Sequence, residues 1–181
     1  NHYKIVMLGN TGVGKTALVE RVTDDVFVDA HFPTVGAQYV SLNLNISETH
    51  ITLEIWDTAG QEVFRSLVGF YAREAKGAFI LFDVTDVQSF KDLKQWMEFI
   101  NDQAPDAKII IFANKTDLIE SRAVSSEEIA EFAEKYDVQY FEGSAKTSQG
   151  VRDAIENMAE AVMSLNKRNI VTVNLSKPAA K

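Results

Sequence analysis

Nearly unbroken apolar runs alternate along this chain with apolar stripes at helical spacing, and that alternation leaves few folds open. Tyr3–Leu8, Ala78–Val84 and Ile109–Ala113 read as strands covered on both faces. Lys15–Val22 has helical character. Phe90, Leu93, Trp96, Met97 and Ile100 share one helical face, closed by Pro105, and Ile129, Phe132, Ala133 and Tyr136 share another. Ser125 and Glu128 form a capping-box pattern ahead of that second stripe. Val138–Phe141 reads as a short strand. Val151, Ile155, Met158, Val162 and Leu165 make the stripe of a final helix, with Lys167 and Arg168 placed at its C-terminal dipole end. One stretch keeps a different rhythm. Val40, Leu42, Leu44 and Ile46 alternate with Ser41, Asn43 and Asn45, and after the polar break Ser47–His50 the alternation resumes at Ile51, Leu53 and Ile55, predicting an antiparallel hairpin. The pattern as a whole predicts an α/β fold, a six-stranded and mostly parallel sheet with one antiparallel strand and helices on both faces. Such sheets bind ligands at the carboxyl ends of their strands.

With 181 residues, the chain is expected to form one domain over residues 1–168, followed by a mobile tail at 169–181. A net charge of −8 argues against a sequence-independent grip on nucleic acid. There is no cysteine, which removes disulfides, thiolate zinc sites and a cysteine nucleophile. The apolar runs fall far short of the roughly 20 residues that span a bilayer. The chain opens at Asn1 rather than at methionine, so trimmed termini are expected.

Between the first strand and the first helix stands Gly9-Asn10-Thr11-Gly12-Val13-Gly14-Lys15-Thr16, a full match to G-x-x-x-x-G-K-[ST] in its proper context. The glycines let backbone N–H groups wrap phosphate, and the helix N-terminus points at the anion. Lys15 adds a point charge near the β and γ phosphates, and the Thr16 hydroxyl can ligate Mg²⁺. Asp57 ends the strand Ile51–Trp56, where its carboxylate can hold the metal from the opposite side. Gly60 offers an N–H that can approach the γ-phosphate, and Gln61 carries both an acceptor and a donor with which to orient an attacking water. The loop by itself serves ATP and GTP, or a kinase and a switch, equally well.

Asn114-Lys115-Thr116-Asp117 follows the strand Ile109–Ala113 and discriminates between bases. Guanine presents two adjacent donors, and a carboxylate accepts both. Adenine would leave Asp117 buried and unpaired. Lys115 can lay its stem along the base, and Asn114 can brace the neighbouring loops. Ser144-Ala145-Lys146 offers the Ala145 N–H to guanine O6, and Phe27 is a candidate to pack on the other ring face.

Gly9–Thr16, Asp57–Gln61, Asn114–Asp117 and Ser144–Lys146 match the guanine-nucleotide motifs of small GTPases in type, order and spacing, and over residues 2–168 the chain resembles the Ras superfamily. It is most similar to the Rab branch. Trp56-Asp57-Thr58-Ala59-Gly60-Gln61-Glu62 with Phe64-Arg65 is similar to the Rab switch II pattern, Phe82-Asp83-Val84-Thr85 to the strand that follows it, and Thr11 suits the branch as well. The resemblance implies a P-loop NTPase G domain that binds GTP/GDP and Mg²⁺. It places Asn10, Thr11, Gly12, Val13, Gly14, Ala17, Leu118 and Lys146 among the nucleotide contacts, and it makes Thr34 the switch I threonine that joins the magnesium shell. It also implies that segments 30–39 and 59–75 rearrange between nucleotide states. The partners implied are effectors on those switches, an exchange factor and a GTPase-activating protein. The molecule is expected to be a monomer that serves vesicle traffic and protein transport.

Several residues depart from the Rab pattern, namely His31, Ala37, Gln38, Val63 and the stretch Tyr71–Ala75. None of them touches phosphate or base chemistry, and all bear on which partners are recognised. The C-terminal cysteines that carry prenyl groups in Rabs do not occur in these residues: either they were trimmed with the tail, which is the reading favoured, or this is an unlipidated member, and membrane attachment is expected only through a lipidated tail. The protein is then expected in the cytoplasm and, reversibly, on the cytosolic face of membranes. Two other functions compete with a hydrolysing switch. A guanine-nucleotide-dependent binding module would not need Gln61, and a P-loop kinase would need a basic lid and a second substrate site that the sequence lacks.

Overall fold

The computed structural model describes residues 1–25, 39–58 and 65–175. Its sheet has six strands, β1 (His2–Leu8), β2 (Tyr39–Ile46), β3 (Thr49–Asp57), β4 (Gly77–Asp83), β5 (Lys108–Asn114) and β6 (Gln139–Glu142), in the order β2-β3-β1-β4-β5-β6. All neighbours pair in parallel except β2 and β3. The predicted architecture is therefore present.

Two-residue periodicity divides the core into two layers. Ile5 and Met7 of β1, Phe79 and Leu81 of β4, and Ile110 and Phe112 of β5 face one side. There they meet Leu18 and Val22 of α1 (Lys15–Asp25) and Ile155, Met158 and Val162 of α6 (Val151–Leu175). Val6 and Leu8, Ile80 and Phe82, and Ile111 and Ala113 face the other side. They pack with Val68 and Ala72 of α2 (Arg65–Ala72), Trp96 and Ile100 of α4 (Leu93–Gln103) and Ile129 of α5 (Ser126–Lys135). Every residue of β4 is buried, as an unalternating apolar run requires. In β2, Val40, Leu42 and Leu44 are buried and their neighbours are not, as the alternation predicts.

The structure refines the sequence-based expectations in four places. The polar break of the hairpin shrinks to Ser47 and Glu48, both at positive φ (47° and 65°), a two-residue turn whose twist suits the strands it joins. The single stripe expected over Phe90–Ile100 is two helices, α3 (Val87–Lys91) and α4, meeting at Asp92. Helix α2 has no clean stripe to announce it, since Leu67 and Phe70 are exposed and Gly69 interrupts it. Finally, α6 does not stop at Arg168 but runs to Leu175, so Lys167 and Arg168 are interior to it and not at its dipole end. No glycine or proline occurs between Val151 and Leu175 to stop it. Among the described residues no helix is long and apolar enough to cross a membrane.

The capping box forms as read. The Ser125 hydroxyl accepts from the Glu128 N–H at 3.2 Å, and the Glu128 carboxylate accepts from the Ser125 N–H at 2.8 Å. Ser125→Ala should cost about 1 kcal/mol and lower Tm by roughly 2–4 °C. Calorimetry at fixed nucleotide concentration checks this.

Candidate nucleotide site

The carboxyl ends of β1, β3, β4, β5 and β6 bring the described ones among the predicted residues to one end of the sheet. The loop from Gly9 to Gly14 turns β1 into α1. Gly14 lies at φ 103°, and a Cβ there would collide with the side-chain amide of Asn114. Glycine is thus what allows the phosphate loop and the base loop to touch. Val13 is 1% exposed, so its side chain anchors the loop in the core and only its backbone faces the site. Lys15 is buried, and its ammonium donates to the carbonyls of Gly9 (2.7 Å) and Asn10 (2.9 Å), which holds the charge within the loop. Asn10 in turn bonds through its side chain to Asp92 and Trp96. Thr11, Thr16 and Ala17 are exposed on the same rim.

The Thr16 hydroxyl donates to Asp57 Oδ2 at 2.6 Å, so the two residues read as metal ligands lie side by side. Among the described residues no group of three or more His, Cys, Asp or Glu side chains could hold a metal. One hydroxyl and one carboxylate are too few for an all-protein cage. As hard oxygen donors beside a phosphate loop, they suit Mg²⁺, which is typically held by one or two carboxylates together with substrate phosphates.

Several bonds hold the base loop in place. Asn114, 2% exposed, donates to Val13 O at 2.9 Å and accepts from Ala145 N–H at 3.0 Å. The Ala145 N–H, predicted to serve guanine O6, thus faces Asn114 Oδ1 in this structure. Ser144, fully buried, donates to Asp117 Oδ1 at 2.6 Å and so fixes the carboxylate. Lys115, at φ 68°, donates to Gly12 O at 2.8 Å and pairs with Asp83 Oδ2 at 2.8 Å. Leu118 is half exposed on the adjoining turn, and the carbonyl of Lys146 accepts from Arg21. Phe27, Thr34, Gly60 and Gln61 lie outside the described residues, as do the departures His31, Ala37, Gln38 and Val63.

The sequence reading missed three groups. Arg21 on α1 donates to the carbonyls of Ala145 and Lys146, both at 2.6 Å, and joins the first helix to the base loop. Asp83, at the end of β4, anchors Lys115, and its position at a strand end was the available signal. The third is a stack of aromatic rings. Tyr39, which opens β2, stacks on Trp56 at 4.8 Å, and Trp56 stacks on Tyr71 of α2 at 5.5 Å. Phe70 beside them is 66% exposed.

Burial would raise the Asp83 carboxyl, but hydrogen bonds from Lys115 and Thr85, together with the Lys115 charge, outweigh it and hold the group below its usual 3.8. A pKa lower in the folded state contributes stability that is present above the unfolded pKa and lost as pH falls through the folded one. Asp83→Asn should therefore flatten the acid limb of stability against pH below about pH 4. Urea titrations from pH 7 downwards measure this.

Fold and site together define an α/β phosphate-loop domain. The Ras family model matches residues 4–164. Rab-30 of Homo sapiens is 38% identical over 177 residues, covering 97% of this chain and 87% of its own. Rab-1D of Dictyostelium discoideum is 38% identical over 161 residues, 88% of this chain and 79% of its own. GTP-binding protein YPTM1 of Zea mays is 35% identical over 161 residues, 88% and 77% respectively. The chain belongs to the Ras family of small GTPases and is Rab-like within it.

Proposed function

We propose that this chain is a guanine-nucleotide switch in vesicle traffic, binding effectors while it holds GTP and releasing them after hydrolysis to GDP. The observation that carries it is the join at Asn114, whose amide bonds both the phosphate loop and the base loop, so that a base recognised by Asp117 is held in fixed relation to Lys15. Asp117, oriented by Ser144, accepts the two guanine donors. The backbone of residues 10–14 and the helix N-terminus cradle phosphate, with Lys15 at the β and γ oxygens. Thr16, Asp57 and Thr34 would hold Mg²⁺, which neutralises charge developing on the phosphate oxygens when bound. Gln61 orients the attacking water, and the Gly60 N–H meets the γ-phosphate.

The aromatic stack supports the effector half of this reading. Tyr39 is the last residue of segment 30–39, and Tyr71 lies on α2 within segment 59–75, the two segments implied to rearrange between nucleotide states. A change in either switch therefore reaches the faces stacked on Trp56, beside exposed Leu67 and Phe70. Exchange and activating proteins act on the same edge.

Competition binding tests the base assignment. The wild-type chain should prefer GTP and GDP over ATP, whereas Asp117→Asn, which places a donor against guanine's donors, should shift preference to xanthine nucleotides. Undiminished guanine preference in the variant would refute the role of Asp117. Hydrolysis is the second measurement. No arginine lies between Phe27 and Tyr39 to cover the γ-phosphate, and an arginine finger is worth roughly 10³–10⁵ in rate. Single-turnover hydrolysis by the purified chain should be far below one per second, and slower still in Gln61→Leu with nucleotide affinity preserved. Fast unaided turnover would show that one of the chain's own arginines reaches the phosphate.

A further inference from the structure

Asn10 is a loop residue whose side chain turns away from the phosphate-facing backbone and is claimed by α4. Its Nδ2 donates to Asp92 Oδ2 at 2.7 Å, and its Oδ1 accepts from the Trp96 indole N–H at 2.9 Å. An indole N–H can only donate and a carboxylate can only accept, so the partners themselves settle which way the amide points. The second oxygen of Asp92 accepts from Gln88 Nε2 at 2.9 Å, which ties the junction of α3 and α4 into the same set. Trp96 is 2% exposed, in the layer formed with Leu8, Ile80 and Ile100. The anchor is therefore core, while the group it holds belongs to the phosphate loop. The consequence reaches the lysine, because the backbone carbonyl of Asn10 accepts from Lys15 Nζ at 2.9 Å.

We propose that Asp92 and Trp96 are positioning residues that latch the phosphate loop to the α3–α4 junction through Asn10, and that this latch sets how long nucleotide stays bound. Neither residue touches nucleotide; each acts by fixing the loop whose N–H groups and lysine do. The inference rests on the nucleotide reading above. Its logic predicts a reciprocal exchange. Asn10→Asp sets two carboxylates against each other at the 2.7 Å contact and should open the latch. Adding Asp92→Asn restores one donor and one acceptor with polarity reversed and net charge unchanged: the new amide donates to residue 10 and still accepts from Gln88.

The test compares wild type, N10D and N10D/D92N as full chains loaded with fluorescent GDP. Release should be faster by roughly tenfold in N10D and return to within about twofold of wild type in the double variant, a coupling of ordinary size for groups in contact. A second readout does not depend on nucleotide. Hydrogen exchange at the Trp96 indole N–H, followed by NMR, should quicken in N10D and slow again in N10D/D92N. Both variants change part-buried polar groups and leave the apolar core intact. Release in N10D equal to wild type, or a double variant as fast as N10D or unable to bind GDP, overturns the latch. Failure of the wild-type chain to retain GDP counts against the nucleotide reading instead, and the indole exchange still decides the latch.

Discussion

The side-chain amide of Asn114 donates to Val13 O and accepts from Ala145 N–H while almost wholly removed from water, and both halves of the site depend on it. A buried amide left without partners costs about 1–3 kcal/mol, so the two loops are held by the penalty of separating them as much as by the bonds themselves. The close approach also explains why residue 14 has no side chain, since a Cβ there would occupy the amide's place. The loop after β1 and the loops after β5 and β6 are therefore held together through one buried group.

Further links reinforce that join from different directions. Lys115 spans Gly12 O and Asp83, and Arg21 holds the carbonyls of Ala145 and Lys146 from α1. All of these bonds join segments that are remote in sequence and adjacent at the carboxyl ends of the strands.

Much of this was legible before the structure. The motif residues are read from backbone chemistry that permits few substitutes, and the strands from runs such as Ala78–Val84 that can only be buried. The capping box at Ser125 and Glu128 is local, and its geometry is as expected. What escaped the sequence is long-range or depends on a weak local pattern. Nothing near Arg21 announces that its partners lie 124 and 125 residues away. Helix α2 buries Val68 and Ala72 but exposes Leu67 and Phe70, so its periodicity is blurred. The Trp56 stack is invisible because its three rings come from three elements. The α3–α4 break is hidden because the apolar spacing continues across Asp92, whose side chain answers to Asn10 rather than to its own helix.

The two-layered core makes the central strands act as rulers. In β4, Phe79 and Leu81 serve one layer while Ala78, Ile80 and Phe82 serve the other, and the next residue is Asp83. In β5 the same count ends at Asn114, and the two end residues are register partners. Removing one residue from either strand would exchange its faces and pull its polar terminus out of step with its neighbour's. Apolar types within these strands can vary, whereas their number cannot. The position of each polar group at the site is thus a matter of parity, set by counting from the core outward.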